Sequence, residues 1–459
     1  MVDKISIYHK LPYHLKVVSA SVWGFYLRWW RYGTQTERLI EEILERDTWN
    51  AEKWASWHEE RLAYILNRAA TQVPYYRKYW SKLRQKGDRS SYEILANWPV
   101  LMKENIRQNP KSFIADDCNT RYMFEDHTGG TTGTPLNIYQ SKETVQLWYA
   151  MYEARIRRWH QVSIKDRWII LGGQMIVSPE KKTPPFWVKN YGLNQLYLST
   201  FHISKETVKQ YVDIINKVNP THWVVYPSSA AHLAQLILDQ QLKVCSPKVI
   251  FTNAEPLWDN QREIISEAFG CPVIQTYGMG EIALAASECQ EGNMHYWPDS
   301  GVVEIIHDDE TKNDEDEAGQ ILATGLINPD MPLIRYKLGD RGRKSNNLKC
   351  QCQRNLPYMG DIEGRDSDLI ITADGKKIFW LNPIFYGLPI QEAQIIQETL
   401  NQIRIKVVPV VGFGTNNEQE IIQRVKQRLG ADVAVVVDLI SEIPRTKAGK
   451  FKAVISHLK

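Results

Sequence analysis

Nine residues, His127-Thr128-Gly129-Gly130-Thr131-Thr132-Gly133-Thr134-Pro135, hold three glycines and four threonines. Glycines let a backbone bend tightly and turn successive N–H groups toward one point, and threonine hydroxyls add donors. The stretch is therefore suited to gripping an anionic phosphate. It lacks the G-x-x-x-x-G-K-[ST] spacing of a Walker loop. The same composition also suits an ordinary turn, and residues further along decide between the two. A second set pairs Cys289 and His295 in C-x₅-H spacing with Cys350 and Cys352 in C-x-C spacing. Four soft N/S ligands in two close pairs predict a closed tetrahedral Zn²⁺ site, structural because no coordination position is left open. Cys118, Cys245 and Cys271 have no such company and read as structural thiols.

The elements that must position these residues show as periodicity. Apolar side chains at three- and four-residue intervals in 37–46 and 51–70 predict a mostly helical segment over 1–110, with Pro74 ending the second helix. No chemistry is read there. Further on, strand-like runs at 168–171, 222–226, 248–251, 273–276 and 301–305 alternate with helical patterns at 205–217, 229–240 and 259–269. That alternation predicts an α/β domain with a largely parallel sheet, its ligands bound at loops beyond the carboxyl ends of the strands. Loops at 252–257, 277–281 and 338–343 fall at such places. The run 308–317 reads as an acidic, solvated turn. Beyond 365 a hairpin at 369–379, a strand at 403–411, a helix at 418–429 and a strand at 433–439 predict a small α+β domain. The expected division is a helical N-terminal part of the large domain (1–110), an α/β domain with the zinc subsite (111–364) and the small C-terminal domain (365–459).

Composition narrows the classes of function. A 459-residue chain with 43% hydrophobic and 24% charged residues fits a soluble globular protein of two or three domains. Lys+Arg at 56 against Asp+Glu at 53 is too balanced for a nucleic-acid partner. Six cysteines in so long a chain exclude a disulfide scaffold and fit a reducing compartment, so the expected location is cytoplasmic. No apolar run reaches the roughly 18–20 residues of a membrane span. The apolar run 17–27, with Trp23, Phe25, Tyr26, Trp29 and Trp30 beside Lys16, Arg28 and Arg31, suits either a terminal helix packed on the body or one resting on a membrane surface.

The phosphate-type loop is followed in order by Asn253-Ala254-Glu255-Pro256, Tyr277-Gly278-Met279-Gly280-Glu281, Arg335-Tyr336-Lys337-Leu338-Gly339-Asp340, Gly364-Arg365 and Pro444-Arg445-Thr446-Lys447-Ala448-Gly449-Lys450. This series resembles the adenylate-forming (ANL) superfamily, and within it the phenylacetate-CoA ligase/CapK group, over nearly the whole chain. Arg31-Tyr32-Gly33, Val73-Pro74-Tyr75-Tyr76-Arg77 and Tyr226-Pro227-Ser228-Ser229 belong to the same likeness.

The resemblance implies an ATP-dependent enzyme that makes an acyl-adenylate, releases pyrophosphate and passes the acyl group to coenzyme A or an amine. It implies a large α/β domain and a small mobile C-terminal domain with a hinge near 366–368. Thr128, Gly129, Gly130, Thr131, Thr132 and Gly133 would hold ATP phosphates, with Thr134 standing where the wider family often has lysine. Tyr277 would stack on adenine beside Gly278, walled by Asn253, Ala254 and Glu255. Glu281 would ligate Mg²⁺, Asp340 would bind the ribose hydroxyls, and Arg365 would lie near ribose and phosphates. Lys450 would meet the charge that develops as a carboxylate attacks phosphorus. Trp223, Tyr226 and His202 are candidate walls of an acyl pocket for an aryl or other apolar acid, and His127 lies beside the phosphate loop. Some members of the group carry a zinc site of the Cys/His kind. Two other readings stay open: transfer of AMP itself to an acceptor, and a non-catalytic nucleotide-binding protein of a polysaccharide pathway. The partners expected are a small carboxylic acid and an acyl acceptor; neither acid, acceptor nor oligomeric state is legible.

Overall fold

The computed structural model describes residues 4–128, 136–307, 318–344, 350–365, 369–375, 377–378, 381, 384–385, 387–446 and 451–458. The chain opens with helices α1 (Lys4–Lys10), α2 (Tyr13–Arg31), α3 (Thr36–Arg46), α4 (Ala51–Gln72), α5 (Pro74–Gln85) and α6 (Lys103–Gln108). The hairpin of β1 (Phe124–Thr128) and β2 (Leu136–Gln140) leads to α7 (Lys142–Tyr152). Next come β3 (Trp168–Gly172), β4 (Trp187–Asn190), β5 (Gln195–Ser199), α8 (Val208–Val218), β6 (His222–Val225), α9 (Pro227–Asp239), β7 (Val249–Thr252) and α10 (Asp259–Phe269). Strands β8 (Val273–Gly278), β9 (Ala285–Glu288), β10 (Met294–Tyr296), β11 (Gly301–Ile306), β12 (Gly319–Gly325), β13 (Tyr336–Lys344) and β14 (Met359–Arg365) follow. The chain closes with β15 (Ile370–Ile371), β16 (Lys377–Ile378), β17 (Ile390–Thr399), β18 (Gln402–Pro409), α11 (Thr415–Leu429), β19 (Ala434–Leu439) and β20 (Val454–Ser456).

Local chemistry sets several boundaries. The Asn50 side chain accepts the Lys53 N–H and caps α4. Pro74 ends α4 as expected, but it also opens α5, since a proline at the first helical position gives up only an N–H that has no partner there. Gly270, at φ +61°, takes the left-handed turn that stops α10.

Two compact units make up the chain. One comprises residues 1–21, 165–273 and 363–459. Its sheet runs β7-β6-β3-β5-β4, parallel except for the antiparallel edge β4. Strand β6 lies inside this sheet with all four residues buried, as helices α8, α9 and α10 pack over the sheet through Ile215, Leu233 and Phe269. The C-terminal sheet, β19-β18-β17-β20, has its own core around Ile395, Ile405, Ile421 and Val425. The other unit comprises 22–164 and 274–362. It holds the antiparallel strands β8, β9 and β10, the sheet β11-β12-β13-β14, and a core that joins α4 and α5 to β2 and β13 through Tyr76, Trp98, Ile138 and Tyr336. Within it Arg155, fully buried, is clamped by Asp47 (2.8 Å) and Asp299 (2.5 Å).

Strand β17 is absent from the sequence reading: Gln and Glu recur among its residues, and Glu392, Gln394 and Gln397 are buried there. Among the described residues no helix is long and apolar enough to cross a membrane. The acidic run 308–317, the hinge residues 366–368 and the phosphate-loop residues 129–135 lie outside the described residues.

Candidate functional site

Strand β8 ends in Tyr277 and Gly278, and the turn that follows carries Glu281. The Ile282 N–H donates to Met279 O at 3.0 Å, which closes that turn with Ile282 at φ +50°. A β-branched residue in the left-handed region is strained, and such strain persists only where surrounding structure imposes it. The preceding Glu281 is buried, 8% exposed.

Two side chains meet that carboxylate. The Tyr336 O–H donates to Glu281 Oε1 at 2.9 Å and Lys103 Nζ donates to the same oxygen at 3.1 Å. The Glu281 carboxylate and burial together push the Tyr336 phenol pKa strongly up, burial first. Glu281 Oε2 has no hydrogen-bond partner among the described residues. A buried carboxylate with one oxygen fixed and the other unbonded can serve as a ligand to a hard cation. Close by in sequence, the Tyr277 O–H donates to Asp340 Oδ2 at 2.7 Å, which joins the end of β8 to β13.

Lys103 is a residue that sequence reasoning missed. It opens α6, within the segment read as holding no chemistry, and no neighbouring motif marks it. Tyr336 stood inside a quoted motif without a role. The only signal available was that a carboxylate buried at a turn needs cationic and hydrogen-bonding company.

The Asn253-Ala254-Glu255 turn belongs to the other unit. Ala254 has φ +65°, again a side-chain-bearing residue in the left-handed region. Glu255 accepts the Ser228 N–H at 3.1 Å and the Phe451 N–H at 2.6 Å. Burial raises its carboxyl pKa, opposed by those two donors and by Arg445. Arg445 itself pairs with Glu392 of β17 and lies 5.2 Å from the Phe451 ring centroid. Lys450 and the loop residues Gly129, Gly130, Thr131, Thr132 and Gly133 lie outside the described residues. Thr128 ends β1 and Arg365 ends β14.

The acyl-pocket residues fall differently from expectation. Trp223 is wholly buried, its ring 4.8 Å from Phe269 in the core beneath β6, and it lines no open pocket. A strand covered on both faces sends every side chain into packing, whatever its chemistry. His202 is buried: its Nδ1 bonds Ser199 Oγ at 2.8 Å, its Nε2 has no hydrogen-bond partner among the described residues, and its ring stacks on Phe186 at 4.6 Å. Tyr226 immediately precedes α9, half-buried, with its phenol pKa raised by burial. His127 Nδ1 is 2.9 Å from Asn137 Oδ1 across the β1–β2 hairpin.

The structure does bring Cys289, His295, Cys350 and Cys352 together, every ligand atom within 4.8 Å of the others. Cys289 Sγ is 3.6 Å from Cys350 Sγ, and Cys352 Sγ is 3.5 Å from His295 Nε2. A zinc tetrahedron with Zn–S bonds near 2.3 Å has edges of about 3.8 Å, so the spacing suits one ion at the centre. His295 Nδ1–H donates to Leu356 O at 3.1 Å, which leaves Nε2 with its lone pair toward the sulfurs. The Asn293 amide donates to Cys350 Sγ at 3.1 Å. The donor set and its supporting bonds fit zinc.

Comparisons with known proteins agree on the kind of molecule. Residues 54–326, more than half the chain, match the family model described as AMP-binding enzyme, and residues 370–457 match the CapK C-terminal domain. The chain is 26% identical to Protein CapK of Staphylococcus aureus over 459 residues, covering 99% of each. It is 25% identical to phenylacetate-coenzyme A ligase of Escherichia coli (strain K12), covering 72% of this chain and 76% of that one. Its fold is similar to that of a solved structure of 2-hydroxyisobutyryl-CoA ligase, with a TM-score of 0.68, 20% identity, and coverage of 90% of this chain and 91% of that chain.

Proposed function

Because the chain belongs to the AMP-binding enzyme family, we propose that it activates a carboxylic acid with ATP and passes the acyl group to coenzyme A. In the first step the acid's oxygen attacks the α-phosphorus, the bond to pyrophosphate breaks, and pyrophosphate leaves with the electron pair. In the second the coenzyme A thiol, giving up its proton, attacks the acyl carbonyl and AMP departs. The observation that carries this reading is Glu281, held at one oxygen by Lys103 and Tyr336 and unbonded at the other among the described residues. Mg²⁺ at that oxygen would offset the charge of the phosphates. Tyr277 offers its ring to adenine beside Gly278, and Asp340 receives the ribose hydroxyls; Asn253, Ala254 and Glu255 keep the base-binding role that the family likeness gives them. Thr128, Gly129, Gly130, Thr131, Thr132 and Gly133 bind phosphate, and Arg365 binds ribose and phosphate.

Lys450 supplies the cation for the adenylation step. The bond from the Phe451 N–H to Glu255 supports this role, since it ties the residue after Lys450 to the turn assigned to the base. Residues 365–459 act as the mobile small domain, a reading supported by the CapK C-terminal match. Likeness to Protein CapK over almost its full length supports a place in polysaccharide biosynthesis. Cys289, His295, Cys350 and Cys352 hold a structural Zn²⁺, and the reduced cysteines suit the cytoplasm.

Pyrophosphate release from Mg-ATP across a panel of acids, with hydroxylamine to trap an adenylate, tests the activity. Release should depend on acid and fall by about 10²–10³ in Lys450→Ala. AMP found on a hydroxyl or phosphate acceptor, without acid, would replace this reading by adenylyl transfer. ATP binding with no release from any acid would favour the non-catalytic alternative.

Helix α2 supplies a peripheral membrane contact in the same proposal. Leu15, Val18, Val22, Phe25, Tyr26 and Trp29 form an exposed stripe at three- and four-residue spacing. Lys10 and Arg28 are exposed beside it, and residues 4–31 contain no Asp or Glu. Interfacial aromatics with an acid-free basic flank suit an anionic lipid surface. The protein should co-sediment with phosphatidylserine-containing vesicles and lose that binding in Val22→Glu/Trp29→Glu; equal binding by the variant ends this part.

A further inference from the structure

The unit that holds Glu281 also holds a cavity of about 100 Å³. Met279, Gly280 and Ile282, the neighbours of Glu281, form one side. Arg31, Asp126 and Tyr149 contribute to the others. Arg31 lies with its guanidinium carbon 4.3 Å from the Tyr149 ring centroid, a cation–π contact that uses none of its N–H groups as donors. Among the described residues it makes no salt bridge. Asp126 accepts the His127 N–H through Oδ1 at 2.8 Å, and its Oδ2 has no partner among the described residues. A cation and a carboxylate, each with unused hydrogen-bonding capacity, therefore line one small space.

We propose that this cavity receives the chain of the acid, and that the acid is a short aliphatic one bearing a hydroxyl bound by Arg31 and Asp126. The proposal rests on the adenylation reading and names its substrate class. Three physical arguments select the hydroxyl. It alone among common substituents can donate to a carboxylate and accept from a guanidinium with one atom. A second carboxylate would meet Arg31 but be repelled by Asp126, and an ammonium group would meet Asp126 but be repelled by Arg31. A space of about 100 Å³, below the roughly 150 Å³ of a cavity that holds benzene, favours a short chain over an aryl ring. The expectation of an aryl or apolar acid walled by Trp223 is replaced accordingly. Arg31 and Asp126 become specificity residues, drawn from the end of α2 and from β1.

The test is acid-dependent pyrophosphate release with the full-length protein. The panel pairs C3–C5 hydroxy acids with the unsubstituted acids of the same length, and adds dicarboxylic, amino and aryl acids. Wild type should favour a hydroxy acid over its unsubstituted partner by on the order of 100-fold or more in kcat/KM, since a site built to bind a hydroxyl rejects the analogue that lacks it. Arg31→Met and Asp126→Asn should each bring that ratio to within about tenfold. Arg31→Lys, which keeps the charge, guards against a folding defect and should retain part of the preference. A wild-type preference for aryl, dicarboxylic or amino acids overturns the proposal and leaves the adenylation reading standing, as does a hydroxy-acid preference unchanged in every variant. Release with no acid of any class, while calorimetry shows ATP bound, overturns both.

Discussion

The cysteine–histidine cluster and the Glu281 site lie in the same unit and gather polar ligands by opposite means. In the cluster all four ligand atoms come from the chain, and the His295 ring is held from behind by Leu356 O. Trp54, Trp159 and Leu356 pack around it, with Cys289 and His295 buried and Cys350 and Cys352 half-buried. At Glu281 one oxygen is fixed by Lys103 and Tyr336, the other is unbonded among the described residues, and a cavity opens beside the strained Ile282. A site whose positions are all filled by the chain can contribute only stability. A site left half-satisfied beside a cavity costs stability and suits ligands that come and go.

The sharpest way to break the comparison is to remove the metal from the closed site. Structural zinc contributes roughly 10–16 kcal/mol in small peptides, comparable with a domain's whole net stability of about 5–15 kcal/mol. Strong chelator should lower the melting temperature markedly, and Cys350→Ser should do the same without chelator. Purified protein should contain about one zinc per chain, by the four-ligand logic of a closed site. An unchanged melting curve in chelator, with no zinc found on elemental analysis, would remove the contrast altogether.

The open site should respond in activity and hardly in folding. Glu281→Gln keeps the shape and can still accept from Tyr336, but it loses the charge that pairs with Lys103. Acid-dependent pyrophosphate release should fall by on the order of 10²–10³, the usual loss when a charge-stabilising group is removed. A stability loss as large as the activity loss would make Glu281 a structural residue and erase the distinction.

How much of this could be read in the sequence depended on how local each cause is. Helix α10 matches its expected range of 259–269 because Gly270 ends it and its periodicity is complete within the segment. The cysteine–histidine cluster was legible for the same reason: each ligand pair is fixed by a spacing of a few residues. Strand β17 was not, since its buried Gln397 is satisfied by the backbone of Ile371 at 3.0 and 2.6 Å, and Glu392 by Arg445, partners far along the chain. Polar residues there read as solvated until those partners are known. The same limit hid Lys103 from Glu281 and misassigned Trp223, whose type suggested a pocket wall while its place inside the sheet made it core.

A third buried titratable group, remote in role from both sites, serves as their control. His232 of α9 accepts from the Gln391 amide through Nδ1 at 3.0 Å, and burial, with Arg445 adding repulsion, lowers its pKa to about 4. Its Nε2 lies buried with no hydrogen-bond partner among the described residues. The unfolded chain, with an ordinary pKa near 6.5, binds this proton more readily than the folded one. Stability from the neutral ring is therefore complete above about pH 6.5 and is lost as pH falls toward 4. Between pH 7 and pH 5 the loss should be about 2 kcal/mol. Urea melts at the two pH values should show wild type losing that much more than His232→Gln. Other histidines titrate alike in both proteins, so the difference isolates this ring. Equal losses would mean that His232 takes up its proton without cost while folded. Burial alone would then be a poor guide to what the chain's polar groups do, and the Glu281 argument would have to rest on its unbonded oxygen and the cavity beside it.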